Sequence, residues 1–244
     1  MKIIGIIPAR YNSTRFPGKP LIEIEGKTMI ERVYQQAMKA KCLKGVCVAT
    51  DDERIFQAVK SFAGQVVMTG TNHQSGTDRC WEAVQKLGGD YEAVLNIQGD
   101  EPFVSPHQID LLAKTLIDSA LEIATLAKEI EIQKVQNPNI VKIVLDRNNR
   151  ALYFSRAVIP FHRNPNTEKP YYKHIGLYAF STKALAQITQ LPVSSLEAVE
   201  GLEQLRWLEN GWSIKVGLTE EEALSVDTEG DLRQIQNWLR TKKD

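Results

Sequence analysis

An excess of charge of either sign is missing from this sequence. Lys plus Arg number 30 and Asp plus Glu number 30, so the formal net charge is zero. A chain that captures nucleic acid or an anionic membrane through bulk electrostatics carries a basic face. No basic stripe interleaved with aromatics occurs here, and both function classes are set aside. Cysteine is scarce: Cys42, Cys47 and Cys80 make an odd count with no C-x-x-C pair. That argues against a disulfide framework and a zinc knuckle, and fits a reducing compartment. Long apolar runs are lacking as well. No stretch approaches the ~20 residues of a membrane-spanning helix. The apolar residues 3–7 stop at Pro8, too soon for a signal-peptide core. The expectation is a soluble, cytoplasmic protein with neither a membrane nor a nucleic-acid partner.

What is present reads as an ordinary globular chain. Of 244 residues, 43% are hydrophobic and 25% charged, which argues against disorder. Short apolar runs at 3–7, 46–50, 65–68 and 93–97 alternate with helical patterns near 28–40, 54–62, 77–87 and 105–119. Thr28 with Glu31 forms a capping-box signature, Asp51 and Asp52 start the second helix, and Ser105 caps the fourth. This alternation predicts a parallel sheet covered by helices. The second half differs. Strands are expected at 123–128, 140–146 and 150–155, with a hairpin turn at 147–150. A loop follows at 160–172, then strands at 175–180 and 213–218. A helix opens at Ser194 and Glu197, runs to about 208 and ends at Asn210-Gly211. Thr228 starts a terminal helix. With no linker and no repeat, one domain with a mixed sheet and an inserted segment is the simplest organisation.

Two places carry chemistry. Between Met1 and Glu23 there is no acidic residue, while Arg10, Arg15 and Lys19 all fall in the loop after the first strand. Ligands of open α/β sheets sit beyond the carboxyl ends of strands, and a cationic loop of small residues there suits a polyphosphate. The loop is neither a Walker A motif (position 21, where a glycine is required, is Leu21) nor G-x-G-x-x-G. It also reads as a solvated basic surface loop. The second place is Gln98-Gly99-Asp100, at the end of a central strand. Gly99 lets backbone approach a ligand, and Asp100 is a hard oxygen donor. Magnesium binds through one or two carboxylates and takes its other ligands from water and phosphate. Asp227, at another strand-to-helix turn, is the candidate second ligand; its other reading is a turn or capping residue.

The motifs themselves resemble a known family. They run Ile7-Pro8-Ala9-Arg10-Tyr11, Pro17-Gly18-Lys19-Pro20-Leu21, His73-Gln74-Ser75-Gly76-Thr77-Asp78-Arg79 and Asn96-Ile97-Gln98-Gly99-Asp100-Glu101-Pro102. Ala151-Leu152-Tyr153-Phe154-Ser155-Arg156-Ala157, Lys173-His174-Ile175-Gly176-Leu177-Tyr178, Leu202-Glu203-Gln204-Leu205-Arg206 and Val226-Asp227-Thr228 follow in order. Together they resemble the 3-deoxy-manno-octulosonate cytidylyltransferase family across essentially the whole chain. The resemblance implies a nucleotide-diphosphosugar transferase (glycosyltransferase-A-like) fold, a three-layer α/β/α sandwich with a mixed, mainly parallel sheet. It implies a single nucleotidyltransferase domain over 1–244, a sugar-binding and dimerisation segment within about 123–212, and a homodimer. The implied reaction moves CMP from CTP to the anomeric hydroxyl of the sugar acid Kdo and releases pyrophosphate, for lipopolysaccharide synthesis.

The resemblance also implies roles. Pro8, Ala9, Arg10, Arg15 and Lys19 bind CTP, with Arg10 and Lys19 on its phosphates. Ser75 and Gly76 lie along the cytidine, and Gln98 and Asp100 complete the nucleotide site. Asp100 and Asp227 hold Mg²⁺, and with Lys19 and Arg10 they form the catalytic set. Gln98, Arg156, His174, Tyr178, Glu203 and Gln204 form the sugar-acid site. These residue types suit a sugar acid, since arginine pairs a carboxylate and the others donate to and accept from hydroxyls. Each also has an ordinary reading. Tyr178 suits a core, His174 a surface, Glu203 and Gln204 a solvated helix face, and Arg156 a structural ion pair. His107 and His162 read as surface residues. Two other functions remain in view. One is a cytidylyltransferase for an 8-amino analogue of Kdo or for a sialic acid, and the other is a silent nucleotide-binding protein.

Overall fold

In a computed structural model of the chain, the described residues are 1–12, 16–164, 170–222, 225–226 and 228–241, without the side chains of 236, 238, 240 and 241. They group into two compact units, Met1–Asp110 with Ala223–Asp244, and Leu111–Glu222. The segment 123–212 lies within the second.

The first unit is built on β1 (Ile3–Ala9). Its Ile3, Ile4, Ile6 and Ile7 are almost fully buried, as expected of a strand covered on both faces. A two-stranded ribbon follows, β2 (Glu23–Ile24) and β3 (Lys27–Thr28). It leads into α1 (Met29–Ala37), where Thr28 accepts from the Glu31 N–H. Next come β4 (Leu43–Thr50), α2 (Glu53–Ser61), β5 (Val66–Met68), α3 (Gly76–Leu87) and β6 (Ala93–Asn96). β1 pairs in parallel with β4 on one side and β6 on the other, and β4 pairs in parallel with β5. Asp52 alone caps α2. Asp51 instead pairs at 2.7 Å with Arg79, which is fully buried on α3.

Helix α4 (Pro106–Ile117) leads into the second unit. There β7 (Ile123–Ile130) is followed by the hairpin β8 (Lys142–Leu145) and β9 (Ala151–Ser155), and by β10 (Tyr171–Ser181). The expected turn is present, with Asp146 N–H donating to the Arg150 carbonyl and Asn149 at φ 53°. β10 begins earlier than the sequence pattern suggests and pairs antiparallel with β7 and β8. A helix that the pattern does not announce, α5 (Thr182–Ile188), is capped by Ser181. The single helix expected from 194 to 208 is two, α6 (Ser195–Glu200) and α7 (Gln204–Glu209). Gly201 ends α6 in the left-handed region at φ 64°, which a Cβ would disfavour. The Ser194–Glu197 capping box is present as expected. β11 (Ile214–Leu218) pairs in parallel with β7.

α8 (Glu229–Thr241) belongs to the first unit. Its Ile235, with Val226, packs against Ile24 and Met29. The fold is thus α/β with a mixed, mainly parallel sheet and covering helices.

Candidate active site

The loop after β1 and the end of β6 meet in the first unit. Lys19 Nζ donates to Asp100 Oδ2 at 2.8 Å, with both side chains partly open to solvent. Arg10, exposed, donates to the Gln74 carbonyl at 3.0 Å, which ties the basic loop to the segment that opens α3. Backbones crowd between them. A Cβ on Gly99 would stand 3.0 Å from the Pro8 carbonyl oxygen, and one on Gly76 3.2 Å from Pro8 Cγ. Both positions exclude side chains, so the surface beside Pro8 is main chain. Ser75 is committed to the fold as well: its hydroxyl accepts from Asp78 N–H while its own N–H donates to Asp78 Oδ2. Ala9 is buried, whereas Pro8 and Gln98 are half-buried.

Two expected residues, Arg15 and Asp227, lie outside the described residues. The neighbours of Asp227 are informative. Val226 N–H donates to the Asp100 carbonyl at 2.9 Å. Thr228 and Asp231 exchange the hydrogen bonds that open α8, so the cap is Thr228. Among the described residues no group of three or more His, Cys, Asp or Glu could hold a metal ion. A carboxylate at a strand end, without a protein cage, fits magnesium that arrives with phosphates and water.

The remaining residues lie in the second unit. His174 and Tyr178 meet with ring centroids 5.2 Å apart. Phe154 stands edge-on to His174, and Trp207 edge-on to Tyr178. His174 keeps part of its surface open, yet burial of its ring holds the imidazole down to about 3 and therefore neutral. Burial first, then the negative charge of Glu203, pushes the Tyr178 phenol well above its usual range. The Tyr178 hydroxyl is buried with no partner of regular hydrogen-bond geometry among the described residues. The Thr125 hydroxyl lies beside it and partly offsets the rise, which leaves the phenol able to take a further partner. Gln204 is buried at the start of α7 and Glu203 half-buried before it.

Arg156 is exposed, and its guanidinium leans on main chain, donating to the Glu200 carbonyl at 3.0 Å and the Pro138 carbonyl at 3.1 Å. The Glu200 carboxylate takes the Arg156 N–H and the Ser155 hydroxyl. The motif residue Arg206 is structural, gripping Glu197 with two 2.6 Å bonds. His107 is exposed as expected. His162 is not a simple surface residue, since it stacks on Tyr171 at 4.4 Å. Two residues that sequence reasoning passes over are fully buried here, Thr125 beside His174 and Lys142 beneath Arg156. Their only signal is a polar residue inside an apolar strand pattern.

Comparison with known proteins agrees with this architecture. Residues 4–218 match the cytidylyltransferase family model. A 3-deoxy-manno-octulosonate cytidylyltransferase of Parabacteroides distasonis is 52% identical, covering 99% of this chain and all of the relative. An 8-amino-3,8-dideoxy-manno-octulosonate cytidylyltransferase of Shewanella pealeana is 49% identical, covering 96% of each. A solved CMP:2-keto-3-deoxy-manno-octonic acid synthetase complexed with CTP superimposes with a TM-score of 0.94 at 39% identity, covering 99% of this chain and all of that one. The chain belongs to the cytidylyltransferase family, alongside the 3-deoxy-manno-octulosonate cytidylyltransferases.

Proposed function

We propose that this chain transfers CMP from CTP to the anomeric hydroxyl of 3-deoxy-manno-octulosonate, releasing pyrophosphate, with Mg²⁺ as cofactor, as a cytoplasmic homodimer. The observation that carries the reading is the Lys19–Asp100 pair beside the glycine-lined backbone of Pro8. Lys19 would take a phosphate and Asp100 would hold the metal of a metal–nucleotide complex, each exchanging its present partner for one of matching charge. Asp227 is proposed as the second ligand, supported by the bond of its neighbour Val226 to Asp100. Bound there, magnesium would neutralise phosphate charge and acidify an attacking hydroxyl.

The chain's own groups do the positioning on which this kind of transfer depends. Arg10 and Lys19 hold the phosphates and stabilise the departing pyrophosphate. Ser75 and Gly76 border the cytidine, where Gly76 lets the start of α3 approach Pro8 closely. Arg156 takes the sugar carboxylate. The neutral His174, the buried Tyr178 hydroxyl, Gln98, Glu203 and Gln204 take hydroxyls. Because His174 is neutral, it selects donors without adding charge.

The test mixes purified protein with CTP, Mg²⁺ and Kdo and follows pyrophosphate release. Release that requires all three, and falls away when UTP replaces CTP, is the expected result. Release with the 8-amino analogue but not with Kdo would transfer the assignment to that sugar. Silence with every sugar acid would leave a nucleotide-binding protein.

A further inference from the structure

The first five residues of strand β7 are fully buried, and Thr125 is the one polar side chain among Ile123, Ala124, Leu126 and Ala127. A hydroxyl in that setting is costly unless bonded. Its Oγ1 lies 2.8 Å from the Leu177 carbonyl, 3.0 Å from His174 Nε2 and 3.2 Å from the Ile175 carbonyl. All three partners are on β10, where the ladder breaks. Between Ile175 and Tyr178 β10 advances three residues while β7 steps from Leu126 to Thr125, so Gly176 and Leu177 bulge out. In a regular strand, residues four apart are separated by about 13 Å. Here the bulge lets the rings of His174 and Tyr178 meet at 5.2 Å.

We propose that Thr125 is a positioning residue for the sugar-acid side of the reaction, donating its proton to the Leu177 carbonyl of the bulge and accepting from His174 Nε2–H. A hydroxyl has one proton to give. With that proton on a carbonyl, the contact to His174 requires the hydrogen on the imidazole. His174 is then the Nε2–H tautomer, with Nδ1 as an acceptor for a sugar hydroxyl. The burial that keeps the ring uncharged makes the choice of tautomer matter, because a neutral imidazole offers one donor and one acceptor. The inference rests on the reading of His174 and Tyr178 as sugar contacts.

Thr125→Val keeps the shape and removes the hydroxyl, and Thr125→Ser restores it. Imidazole ¹⁵N shifts of His174 and the separate KM values for Kdo and CTP are the readouts. The wild type is expected to show Nε2–H. Thr125→Val is expected to lose that signature and raise the KM for Kdo about tenfold, the scale of one lost hydrogen bond, with the KM for CTP unchanged. Thr125→Ser is expected to restore both. An Nδ1–H tautomer in the wild type would overturn the proposal even if Thr125→Val failed to fold. So would a signature unmoved by Thr125→Val. A changed signature with an unchanged KM for Kdo would overturn the sugar-contact reading of His174 instead.

Discussion

Asp100 faces Lys19 across 2.8 Å, with side chains 29% and 12% exposed. Partial exposure fixes what each can be worth. A solvent-screened pair of this kind contributes roughly 0–1 kcal/mol to folding, whereas a charge aimed at reacting phosphates is worth about 10²–10³ in kcat. Asp100→Asn is therefore expected to melt close to the parent while losing at least that factor in turnover at saturating Mg²⁺ and CTP. Near-normal activity would remove Asp100 from the metal site. Both residues stand out in the sequence, because cations without nearby acids and an acid after glycine are local patterns. Their pairing was not legible, since the two lie 81 positions apart. The burial of Arg79 and Arg206 was likewise hidden, because the partners Asp51 and Glu197 are set by packing.

The elements of the second unit hang on a buried cation. Lys142, at the start of β8, donates to the carbonyls of Asn137, Ile140 and Arg156 at 3.1, 2.7 and 2.5 Å. Burial, then the nearby Arg156 charge, lowers its pKa. The ammonium is retained because three carbonyls converge on it. Lys142→Met strands them, at a cost of about 1 kcal/mol or more each. The expected loss of about 3 kcal/mol lowers Tm by roughly 6–12 °C in a chain of this size. A variant that melts with its parent would show that the ammonium's desolvation cost cancels its bonds. Elements were legible where a period and a punctuation mark coincided, as in β4, β6 and the β8–β9 turn. They were not where glycine acts against its surroundings or where the partner lies on another strand. Gly201 sits inside an unbroken helical pattern yet ends α6, and the bulge at Gly176-Leu177 is met by Thr125 of β7, whose hydroxyl bonds the Leu177 carbonyl.

Over the whole molecule, the described part of the second unit leaves large apolar side chains in water: Phe161 is 85% exposed and Val199 83%, with Val193 and Leu152 more than half open. These side chains are the candidate contacts of the proposed homodimer, because burying large apolar groups against a second copy would stabilise it. Light scattering is expected to give twice the 27.5 kDa chain mass. Phe161→Ser with Val199→Ser is expected to shift the mass toward one chain. A parent that scatters as a monomer at micromolar concentration would end the proposal. No helix among the described residues is long and apolar enough to cross a membrane.

The first unit is discontinuous in sequence, and this gives its synthesis a timetable. Residues up to Asp110 leave the ribosome early, but Val226, whose amide holds the Asp100 carbonyl, and Ile235, which completes the cluster around Met29, come more than a hundred residues later. At ordinary elongation rates that interval is roughly 6–23 s. Throughout it the nascent chain carries its basic loop and Asp100 without the amide that holds the Asp100 carbonyl and without Asp227, the proposed second ligand, so a translation product stopped before Val226 is expected to be an inert precursor rather than a slower enzyme.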